Sequence, residues 1–156
     1  MDYSVGAVIG SGLVATLAMT AVLYMGIAMM PKQITMNLLY MLGSMVTTGK
    51  PVVYVVGAMI HIMMGLGFAF AHVGLFHAFD LESNFIGWGI LFGVFHWMLV
   101  GMGMGMMKQM HPQMKSGALA APGFFVVNYP AMTIIGFMML HLLYGVLVGA
   151  LYEAWA

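Results

Sequence analysis

Four long apolar runs, divided by short polar stretches, set the expected architecture. They cover about residues 4–30, 52–79, 85–107 and 131–152. A helix rises about 1.5 Å per residue, so roughly 20 apolar residues cross a bilayer core, and each run meets that length. Pro31-Lys32 ends the first run. Lys50-Pro51 precedes the second and places a proline near the first helical position. Asp80, Glu82, Ser83 and Asn84 form a tight acidic turn before the third. Between the first two runs, Met36 to Met45 is apolar but too short to span, and it reads as a short helix lying in the interface. Asn128-Tyr129-Pro130 reads as the start of the last helix, with Asn as cap and Pro in the first turn. The alternative is one long helix from Gly123, kinked at Pro130.

The expected fold is therefore all-α, an integral membrane four-helix bundle in a single domain, 1–156. The charges orient it. Lys32, Lys50, Lys108 and Lys115 fall in the two connections on one side, whereas Asp2, Asp80, Glu82 and Glu153 fall on the other. The positive-inside rule puts the lysines in the cytoplasm and both termini outside, in a multi-pass protein of the inner cell membrane. Met1-Asp2-Tyr3 lacks the basic stretch of a signal peptide, so the first span is expected to be retained. Gly6, Gly10 and Gly12, and the pairs Gly101-x-x-x-Gly105 and Gly145-x-x-x-Gly149, suit close helix contacts. Trp88, Trp155, Tyr3 and Tyr152 read as anchors at the outer interface.

Composition sharpens this picture. The chain is 63% hydrophobic and 5% charged, against about 25% charged in soluble domains, so its solvent is the lipid bilayer. Net charge is zero with no basic patch, which argues against nucleic acid. The absence of Cys excludes disulfides, thiolate catalysis and cysteine-bound metal clusters. No phosphate loop, Ser–His–Asp set or His-Glu-x-x-His motif appears, and no acidic residue lies inside a span. Neither an enzyme nor an ion-coupled carrier is expected.

What remains is histidine and methionine. His61, His96 and His141 each fall about 15 Å into their spans, near the midplane of a core about 30 Å thick, and Thr16 lies at a similar depth. Ionisable groups at that depth are costly and face the bundle interior. His61 and His141 each open a His-x-x-x-Gly, a faint internal echo. His72 and His77 belong nearer the outer surface, and His111 falls in the inner connection. Of the 21 Met, those at 98, 102, 106, 110 and 114 recur every four residues, the spacing of one helix stripe. Neutral imidazole is a common metal ligand, and thioether favours Cu(I) over zinc. His61, His96 and His141, with Met64, Met98 and Met102, are the candidate ligands, and the Met of the inner half would line a route to the cytoplasm. The plainer readings are Met as apolar filler, and His bonded to one another, to Thr16 or Thr20, or to a backbone carbonyl.

Gly-Leu-Val-Ala-Thr-Leu-Ala-Met-Thr (12–20) and His-Leu-Leu-Tyr-Gly-Val-Leu-Val-Gly (141–149) resemble small four-span prokaryotic membrane proteins of unassigned function. That resemblance implies the bundle and no activity. Met-x-x-x-Met beside Gly-x-x-x-Gly is also similar to a pattern in the Ctr-type copper transporters. Those have three spans and place the glycines later in the last helix, whereas here the patterns overlap on Met98 to Gly105, so that family is not assigned. Three functional expectations follow. The first is a bundle holding a transition metal, copper above others, in metal handling or as a subunit of a larger membrane complex or homo-oligomer. The second is a haem b electron-transfer subunit using two of the histidines. The third is a structural accessory subunit without a cofactor.

Overall fold

A computed structural model describes residues 3–156. Its long helices are α1 (Val5–Met29), α3 (Val52–Ala78), α4 (Phe85–Met110) and α6 (Ala131–Trp155), with two short ones, α2 (Leu38–Gly43) and α5 (Pro112–Lys115), in the lysine-bearing connections. The four long helices are each long and apolar enough to cross a membrane. They alternate in direction, so the ends of the described chain meet on the acidic face. No strand occurs among the described residues.

Local chemistry sets the helix starts. Ser4 Oγ accepts from the Ala7 amide at 3.3 Å. Asn84 sits in the left-handed region at φ 58°, and its side chain accepts from the Gly87 amide to open α4. The start of α6 differs from expectation. Asn128 does not cap it; its Nδ2 donates to the Ala121 carbonyl at 3.0 Å, and Pro130 stands at the N-cap with no side-chain bond. The long helix from Gly123 is also absent, because Gly123, Phe125 and Val126 all take positive φ, which a right-handed helix cannot continue through. A 3-10 turn, Phe124–Val126, stands there instead. Its Phe124 and Phe125 rings lie where Cβ atoms at Gly105 and Gly101 would be, so this glycine pair receives two aromatic rings and not a helix.

The other glycine pair is a helix contact. α4 and α6 run antiparallel with backbones touching at Gly89, Gly93, Gly145 and Gly149. A Cβ on Gly145 would meet the Gly89 carbonyl, and one on Gly149 the Phe85 carbonyl. α1 packs on α6 and α3, with Gly12 against Ala69 at 2.6 Å from a notional Cβ. α3 touches α4 and α6 far less than it touches α1 and α2.

α2 forms where a short helix is expected, but it does not lie on a surface. Leu38, Met41, Leu42 and Gly43 are buried, and the two helices touch backbone to backbone, Gly43 of α2 against Val53 of α3 and Gly57 of α3 against Leu39 of α2. Polar bonds hold it there. Tyr24 donates to Asn37 Oδ1 at 2.7 Å, and Asn37 Nδ2 donates to Tyr54 Oη at 3.1 Å. His111 is fully buried and joins α2 to α5. Its Nδ1 accepts from the Gln113 amide, so Nε2 carries the proton and donates to the Met41 carbonyl at 2.9 Å, with Ser44 Oγ at 3.2 Å. His111→Ala removes the stronger of two donors to that carbonyl, which keeps Ser44 Oγ at 3.3 Å, and takes the acceptor from the Gln113 amide. We expect a loss of about 1–3 kcal/mol, read as an earlier thermal transition in detergent.

Candidate metal centre

The helices bring His61, His96 and His141 to one cavity of about 50 Å³ between α1, α3, α4 and α6, with α2 over its lysine-side end. Each His is placed by a close helix approach. Gly93 lets α4 pass the α6 backbone at His141 and Leu142, and Gly65 lets α3 pass Thr16 of α1. The His96 ring is central. It stacks on Phe68 with centroids 3.6 Å apart. His141 meets it edge-on at 4.7 Å, and the Tyr144 ring at 5.1 Å.

Thr16 is at this level, and its hydroxyl donates to the Gly12 carbonyl at 2.7 Å. Thr20 lines the cavity, although its hydroxyl likewise donates to a carbonyl of its own helix, at Thr16. The histidines are not bonded to these threonines.

His72 belongs to the same group. It is 2% exposed, with its ring 5.6 Å from that of His96 and 5.6 Å from that of Tyr144. It therefore faces the bundle interior, about two turns from the acidic end of α3. The signal was in the spacing. His61 and His72 are 11 residues apart, about three helical turns, which returns to the same face. His77, at the acidic end, is half-buried, and its Nε2 pairs with Tyr152 Oη at 2.9 Å. Tyr152, in the last turn of α6, packs fully buried among Phe76, Phe85 and His77.

The methionines separate into two sets. Met64 lines the cavity, joined by Met19, Met36 and Met104. Met98 and Met102 are not brought to the histidines; they are exposed on the outer side of α4, as are Met106 and Met110, while Met114 is buried in α5. The reason is helical phase. Two residues from His96 is about 200° around the helix and six is about 240°, so both point away, whereas Met104 at eight residues returns to within about 80°. Met25, Met29, Met59 and Met63 also face outward, so the inner methionines form no continuous route.

The electronic state of the ring nitrogens follows from their partners. His141 Nδ1 lies 2.6 Å from the Phe137 carbonyl, and His72 Nδ1 lies 2.8 Å from the Phe68 carbonyl. A carbonyl only accepts, so in each neutral ring Nδ1 holds the proton and Nε2 presents a lone pair. Such a bond on one nitrogen is what fixes the tautomer and direction of a metal-ligating imidazole. His61 Nε2, His72 Nε2 and His96 Nδ1 are buried without a hydrogen-bond partner in the protein. Trp97 Nε1 is similarly unpartnered, beside Phe125. Among the described residues no group of three or more His, Asp or Glu stands ready to hold an ion. Any coordination here therefore uses fewer imidazoles or adds thioether sulfur. Comparison with known protein families, with curated proteins and with solved structures gives no match, so this centre is read from its own geometry.

Proposed function

We propose that this membrane bundle binds a soft monovalent transition-metal ion, Cu(I), in the cavity between His61, His96 and His141, and acts in metal handling. The observation that carries this reading is the set of buried imidazole nitrogens without a hydrogen-bond partner in the protein, beside thioether sulfur. Buried polar atoms without partners are rare and call for an explanation, and a bound ion is one. Two imidazoles with a sulfur from Met64 or Met104 suit Cu(I), for which soft thioether ligands select.

Charge supports the choice of ion. Among the described residues no acidic side chain lies at this depth; Glu153 and Lys108 sit in end turns of α6 and α4. A divalent ion among neutral ligands would keep its whole double charge in a low-dielectric interior, where burying charge is costly. A monovalent ion bears less of that cost. Size supports it too. Ligand pockets for organic molecules run to about 300–1,000 Å³. The cavity of about 50 Å³ suits an ion, whereas a haem between His96 and His141 would need the helices to separate. In this reading the protein sits in the inner cell membrane with its lysines in the cytoplasm, alone or as a small subunit of a larger complex.

Anaerobic titration of the purified protein with Cu(I) against a competing chromogenic chelator tests this. We expect one tightly held Cu(I) per chain and no Soret band after haem addition. A Soret band without copper retention would favour the haem subunit. Retention of neither would leave a structural subunit.

A further inference from the structure

We propose that His72 and His96 form a second position for the same soft monovalent cation, on the acidic side of the cavity, so that His96 serves both. The proposal rests on the reading of the cavity as a Cu(I) site. It is carried by two side chains that are more than nine-tenths buried, His72 at 2% and His96 at 7% exposure, each with a ring nitrogen that has no partner. On His72 that atom is Nε2, the lone-pair nitrogen, because Nδ1 is committed to the Phe68 carbonyl. On His96 it is Nδ1.

The spacing suits one ion shared by two rings. A metal–imidazole bond is about 2 Å long, so two rings on opposite sides of one ion have centroids about 6 Å apart. The His72 and His96 centroids are 5.6 Å apart at 74°, an edge-on contact within reach of that separation once the rings turn their free nitrogens to one ion. The His96–His141 separation of 4.7 Å instead suits a bent pair, which leaves room for a third ligand from the cavity wall. Tyr144 faces both His72 and His96, but its hydroxyl donates to the Gly65 carbonyl and so does not compete with them.

The two positions lie in sequence along the bundle. His72 is about three turns beyond His61 on α3, toward the acidic face. Two cations so close, with no anion between them, repel strongly, so the positions fill one at a time. An ion in the cavity can thus step to His72 while His96 turns from one partner to the other. Beyond His72 the way is closed by Phe76, Phe85, Phe92 and Tyr152, whose rings touch one another.

Histidine-selective ¹⁵N labelling of the whole chain in detergent micelles tests the second position. Ag(I), a redox-stable soft monovalent ion, is titrated to one equivalent, and ring-nitrogen resonances are assigned with H72Q and H141Q. We expect the Nε2 resonance of His72 to move over the same equivalent as those of His96 and His141, by a comparable amount. If His96 and His141 move and His72 does not, the second position is overturned while the cavity site stands. If no ring nitrogen moves, the Cu(I) reading fails and takes the second position with it.

Discussion

Replacing His96 with Leu is expected to weaken Cu(I) binding by at least about 100-fold, while replacing Met98 and Met102 together with Leu leaves it unchanged. Loss of groups that merely orient a ligand typically costs about 10–100-fold in metal affinity, and loss of a shared central ligand costs more. His96 is that centre, since the rings of His141, His72, Phe68 and Tyr144 all meet it. Leu keeps the site apolar and fills much of the ring's space, so the bundle is expected to stay folded. Met98 and Met102 face outward, and Leu there exchanges one apolar surface for another. The competition titration reads both variants, with circular dichroism confirming helix content. Full affinity in the His96 variant, or a loss in the Met pair, would contradict the placement of the site.

The second large effect concerns the fold. Gly145→Leu is expected to destabilise the bundle by about 3 kcal/mol or more and to disperse the histidines. Its Cβ alone would overlap the Gly89 carbonyl, which is backbone and cannot rotate aside. The helices must then separate, and van der Waals packing between close backbones is the main attraction available to helices in lipid. Overpacking a filled site commonly costs about 1–3 kcal/mol, and a contact of backbone on backbone sits at the upper end or beyond. Gly136→Leu is the control, because nothing lies within 4 Å of a Cβ there. Thermal unfolding in detergent should show a large drop for Gly145→Leu and little change for Gly136→Leu. Equal behaviour of the two would show that α4 and α6 do not touch as described.

Much of this was legible in the residues. Run length and the near-absence of charge gave the four spans, since lipid tolerates little else. Depth arithmetic put His61, His96 and His141 on one level, and the structure has them around one cavity. Depth is only one of two helical coordinates. The other is phase, and neglect of it misplaced Met98 and Met102, which lie about 3 Å and 9 Å along α4 from His96 but face away from it. Phase also identifies His72, which depth alone assigned to the surface. The role of α2 was hidden for a different reason. An apolar stretch of that length suits an interface as well as a buried cover, and only Gly43 against Val53 and Gly57 against Leu39 decide between them. The left-handed Phe125 and Val126 had no sequence signal, because neither residue favours positive φ.

The most direct measurement of the central idea is copper X-ray absorption on protein loaded anaerobically with one equivalent of Cu(I). We expect a Cu(I) edge, the multiple scattering of imidazole rings and one thioether sulfur, with the imidazole signature lost in His96→Leu. A spectrum lacking imidazole scattering, or an unaltered one in that variant, would contradict it.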